Sequence, residues 1–94
     1  MKVSVDTIVK HSPNVPWRTI DGKGILVDLD SGFYFSLNKT GQFIWGQIDG
    51  ERSIFDISRK LVDQFEVEET TAIQDCLELA EELMGQGLLV AVSP

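Results

Sequence analysis

Apolar positions follow two different periods along the chain, and the change falls at Asn38. Before it, apolar residues come in short runs broken by turn residues. Pro16 to Ile20 is the first extended run. Asp21-Gly22 follows, a dipeptide suited to a tight hairpin because both central residues tolerate positive φ. Ile25, Val27 and Leu29 then alternate with Leu26 and Asp28 in a second run. Asp30-Ser31-Gly32 is a second turn, with Gly32 free to take the left-handed region. Phe33 to Leu37 is the third run, aromatic and extended by preference.

After Asn38 the period becomes 3.6. Asn38 is a good helix N-cap. Phe43, Ile44, Trp45 and Ile48 give a first helix one apolar side, and Asp49-Gly50 stops it. Ser53 caps a second helix, with Asp56 three residues later as a variant capping box. Ile54, Ile57, Leu61 and Phe65 share one face of it. A third helix runs from about Glu69 to Gly85, where Gly87 supplies a left-handed close. Leu88 to Val92 reads as a short final strand or a packed tail. The class is α+β: a three-stranded antiparallel β-meander followed by a three-helix bundle, with a winged helix-turn-helix-like outline. Residues 16–92 form a single domain. Residues 1–15, interrupted by Pro13, form an N-terminal arm expected to be mobile or loosely docked.

Charge narrows the function classes. Fifteen acids against eight bases give the 94-residue chain a net charge of −7. From Leu61 onward there are eight acids and no base. That distribution argues against nucleic acid and anionic membranes. A winged-helix DNA reader is the alternative fold-level reading. Its recognition helix would present Glu78, Glu81 and Glu82 to phosphate, with only Gln74 and Gln86 to read bases. No stretch has the length of a membrane span, the start with Asp6 and no long apolar core is not expected to be a signal peptide, and a lone Cys76 forms no internal disulfide. A cytoplasmic setting is expected.

Catalytic and metal-binding motifs are missing, so no enzyme activity and no cofactor is expected. His11 stands alone in the arm and reads as a solvated loop residue. Asp28, Asp30 and Gly32 hint at a calcium loop, but Phe33 and Lys39 occupy the places where it needs Gly and Glu. Asp75, Glu78 and Glu82 share one side of the third helix and read as a solvated outer face rather than a cation site. Cys76 reads as a buried, inert thiol.

Two surfaces look unfinished. The first strand protects its edge with Pro16 and Arg18, whereas Ser31 to Asn38 holds no charge and no proline. If the strands pair in chain order, Phe33, Tyr34, Phe35, Ser36 and Leu37 form an open aromatic edge, able to add a peptide strand. On the third helix, Ala72, Cys76, Leu79 and Leu83 lie along one line. Ile73, Leu77, Ala80 and Met84 lie along a neighbouring one. Together they span about 160°, wider than the ~100° one core contact needs. One line faces the other helices, and the other faces the third strand across a groove. The competing reading spends all of these side chains on an ordinary core.

The series Asp21-Gly22, Leu26-Val27-Asp28, Gly32 to Asn38, Thr40-Gly41, Ile44-Trp45, Asp49-Gly50, Ile54 to Ile57, Leu61, Phe65, Asp75 and Leu83 to Leu89 resembles the PqqD family, over about residues 8 to 92. Family members serve the biosynthesis of pyrroloquinoline quinone and of other ribosomally made, modified peptides. The resemblance implies a non-catalytic peptide chaperone that holds a precursor's leader as an extra strand. It also implies a partner enzyme, such as a radical S-adenosylmethionine protein or a leader protease. It puts Phe33 to Leu37 on one wall of the groove and Ala72, Asp75, Cys76, Leu79 and Leu83 on the other. Asp30-Ser31-Gly32 and Ile48-Asp49-Gly50 depart from the Pro-Glu and Cys-Asp-Gly common in the quinone pathway. The aromatic strand is closer to lasso-peptide members. A protein-interaction subunit with regulatory work is the remaining alternative. The chain is expected to be a monomer, with edge-strand dimerisation as its route to self-association.

Overall fold

A computed structural model describes residues 3–13 and 15–92. In chain order the elements are β1 (Val9–His11), β2 (Trp17–Ile20), β3 (Lys23–Val27), β4 (Tyr34–Leu37), α1 (Lys39–Gln47), α2 (Ile54–Phe65), α3 (Glu69–Gly85) and β5 (Leu89–Ala91). The meander is antiparallel in the order β2-β3-β4, and the three helices follow it as expected. The turn between β2 and β3 has Asp21 at φ 52° and Gly22 at φ 77°, the two positive values a tight hairpin requires.

Register decides which side chains reach the core. Leu26 pairs with Phe35 and Gly24 with Leu37, so these four face the helices. Ile25, Val27, Tyr34 and Ser36 take the outer face. Gly24 is required by close approach: a Cβ there would meet the Gln42 Cγ of α1 at 3.3 Å. Leu26, Leu37, Ile44, Trp45, Ile54, Ile57, Leu61, Ala72, Cys76 and Leu83 form the core between sheet and helices.

The helix starts are closed locally. Asn38 accepts from the Gly41 N–H at 2.8 Å. Ser53 and Asp56 bond each other's backbone N–H at 3.1 Å, the reciprocal arrangement their spacing predicts. At the far end of α3, Gly87 takes φ 77°, and Leu88 donates to the Leu83 carbonyl at 2.8 Å.

The N-terminal arm carries structure for which the sequence gives no signal. Val9, Lys10 and His11 pair antiparallel with Ala91, Val90 and Leu89, joining the two ends of the described chain in a second sheet. The carbonyls of Thr7 and Val5 accept from Ile54 and Phe55 at 2.9 and 2.8 Å. These two N–H groups, in the first turn of α2, have no partner within the helix. Val3 and Val9 are buried. His11, expected in solvent, is half-buried. Its ring stacks on Trp45 at 3.7 Å and 3°, and its Nε2 lies 2.9 Å from the Trp45 carbonyl oxygen. Trp45 is fully buried, and its flat face offers a planar ring more than solvent does.

Candidate functional site

β4 pairs with β3 on one side only, so its other edge is open. The ladder shows which groups it offers. Asp28 donates to the Phe33 carbonyl at 2.8 Å, so the bonded pairs are 28 with 33, 26 with 35, and 24 with 37. An antiparallel ladder alternates. Tyr34 and Ser36 therefore turn their N–H and C=O groups to the open side. Neither residue is buried.

Two concavities flank this edge, both shared with the α3 region. At the start of β4, Phe33, Tyr34 and Phe35 meet Gln86 and Leu88, with Asp28 and Ser31 at the rim. Past its end, Asn38, Thr40, Gly41 and Ile44 face Asp75, Glu78, Leu79 and Glu82 across a cavity of about 250 Å³. The order of residues in the two concavities shows that the chain from β4 into α1 runs opposite to α3, with one concavity at each end of β4.

The electrostatics are uneven. The Ser31 hydroxyl and the Asp30 N–H bond the Asp28 carboxylate at 2.9 and 3.0 Å and hold its pKa below the ordinary value. Among the described residues the one ion pair is Arg52 with Asp49, so the three carboxylates of the cavity have no basic partner there. Gln74 donates to Glu78 at 3.1 Å. No group of three metal-ligating side chains gathers among the described residues, and none of the helices described is long and apolar enough to cross a membrane.

A small antiparallel sheet open at β4, followed by three helices, is the fold the sequence resemblance implies. The family described as "Coenzyme PQQ synthesis protein D (PqqD)" matches residues 17–89. The chain belongs to the PqqD family. Two solved structures share its fold. One, described as "TbiB1 in Complex with the TbiA(beta) Leader Peptide", is 25% identical with a TM-score of 0.79, covering 90% of this chain and 99% of its own. The other, described as "Lasso peptide synthetase B1 complexed with the leader peptide", is 28% identical with a TM-score of 0.78, covering 87% and 96%. No curated protein matches the chain.

Within this PqqD-family fold the predicted site residues divide. Phe33 and Tyr34 are 75% and 73% exposed, Ser36 is exposed, and Phe35 is half-buried beside them. Asp75 and Leu79 line the cavity. Leu37, Ala72, Cys76 and Leu83 are sealed in the core, at most 2% exposed. A ligand reaches them only through the residues above. Burial, with the Asp75 charge adding to it, pushes the Cys76 thiol up to about 12. It is a packing group.

The larger cavity lies roughly a quarter turn around α3 from the line through Ala72, Cys76 and Leu83. The added wall is Glu78 and Glu82. Their row with Asp75 is visible in the sequence, but only the fold shows it facing the start of α1, just past the end of β4. Asn38, Thr40, Gly41 and Ile44 belong to the cavity as well, where the capped start of α1 turns away from β4.

Proposed function

We propose that this chain is a non-catalytic peptide chaperone of a ribosomal peptide pathway. It takes the leader of a precursor peptide as an added strand on β4 and presents it to a modifying enzyme. The observation that carries this reading is the free edge of β4. Tyr34 and Ser36 offer unpaired main-chain groups, and the concavities at the two ends of β4, one of them walled by α3, leave room for side chains of the added strand. Two relatives in fold that are described with leader peptides support it. The partner in this reading is a cytoplasmic enzyme, of the radical S-adenosylmethionine or leader-protease class. The acidity of α3 weighs against a DNA-reading role for the same scaffold.

Titration of the full chain with the leader of a precursor encoded beside it, followed by calorimetry, tests the proposal. The expected result is one-to-one binding. It is accompanied by slowed amide exchange at Tyr34 and Ser36. Absence of binding, or protection confined to residues far from β4 and α3, would overturn it.

A further inference from the structure

The concavities at the two ends of β4 differ in chemistry. We propose that together they select a cationic, amphipathic strand. Such a ligand sets a large apolar side chain against Phe33, Phe35 and Leu88, and Lys or Arg at alternate positions against Asp75, Glu78 and Glu82. The inference rests on the reading that a leader strand adds to β4, and names the class of leader.

Two independent observations meet here. The first is the apolar end. Phe33 and Tyr34 are largely exposed at a small concavity that Phe35 and Leu88 complete. This is surface a soluble domain normally covers, and a side chain from the ligand covers it. The second is the acidic end. Three exposed carboxylates line one wall of the larger cavity. No Lys or Arg lies on α3 to offset them. Glu82 stands in the last turn, where no basic residue balances the negative end of the helix dipole. Folding alone disfavours that placement, and a cation in the cavity relieves it.

Spacing agrees with the strand reading. Along the helix axis Asp75 to Glu78 is about 4.5 Å and Glu78 to Glu82 about 6 Å. Side chains on one face of a strand repeat every ~6.8 Å. Two cationic side chains, two residues apart, therefore meet the row without distortion. The apolar contact falls at the other end of β4.

The test is a selection. The full chain is panned against a library of random strand-length peptides, and the bound pool is sequenced. Wild type is expected to enrich peptides with one large apolar residue and Lys or Arg at alternate positions, several-fold over Asp or Glu. Glu78→Lys with Glu82→Lys should reverse the charge preference while keeping the apolar one. Glu78→Gln with Glu82→Gln should flatten it. Asp63→Lys, outside both concavities, should leave it as in wild type. An enriched pool without basic excess, or a preference that survives the double charge reversal, overturns the inference and leaves the leader-strand reading standing. A pool with no enrichment at all overturns both.

Discussion

In the proposed strand addition Tyr34 and Ser36 carry the main-chain groups that meet the ligand, and this makes a substitution with a narrow effect available. Proline at position 36 removes an N–H that points outward, not one bonded to β3. Edge strands tolerate proline in that orientation. Ser36→Pro is expected to keep the fold by circular dichroism and to weaken leader binding at least tenfold, about 1.4 kcal/mol, in calorimetry. Arg18→Asp, on the opposite edge of the sheet, should leave affinity nearly unchanged. Cys76 gives a different prediction. An ordinary thiol ionises near 9.0, and burial moves this one to about 12. Below the lower value both the folded and unfolded thiols are protonated, and nothing is lost. Between the two values only the unfolded chain releases the proton, so stability falls as pH rises through this window. The melting temperature of wild type should therefore drop more steeply above pH 9 than that of Cys76→Ala. The native thiol should resist alkylation until the chain unfolds.

Among the elements, α2 depends on the arm in a way that is measurable. Its first-turn donors on Ile54 and Phe55 are taken by the carbonyls of Thr7 and Val5, and the donor on Asp56 by Ser53. Truncation before Ile8 should raise amide exchange at Ile54 and Phe55 and leave Asp56 protected. Ser53→Ala should do the reverse, at a cost of about 1 kcal/mol in denaturant unfolding. The contrast also separates what was legible in the sequence from what was not. Ser53, Asn38, Asp21-Gly22 and Gly87 act on residues within a few positions, so their chemistry can be read where it stands. Val9 to His11 is three residues with no pattern of its own. Its partner is β5, at the other end of the chain, and no local signal announces that pairing. Helix α3 lies between these cases. Periodicity correctly gives it a wide apolar arc. It does not say which margin of that arc is sealed. Ala72, Cys76 and Leu83 went to the core, whereas Leu79 and the acids beside it border the larger cavity. Phe33 and Phe35 show the same limit. They stand two residues apart, yet Phe35 lies within β4 and is half-buried, whereas Phe33 precedes the strand and stays 75% exposed.

At the scale of the whole molecule, two opposing features govern self-association. The bare edge of β4 invites a second copy, and a net charge of −7 repels it. Salt screens the repulsion and leaves main-chain pairing intact. Sedimentation should show a monomer at low salt and low concentration. Raised salt and high concentration should produce a dimer, which Ser36→Pro abolishes and bound peptide displaces. The antiparallel pair of β1 and β5 has a further consequence. It holds Val9 directly across from Ala91, where strand partners stand about 5 Å apart. The chain is thereby closed into a ring: the segment ahead of the meander and the segment after α3 hold each other, so releasing either strand strips the other of its ladder partner.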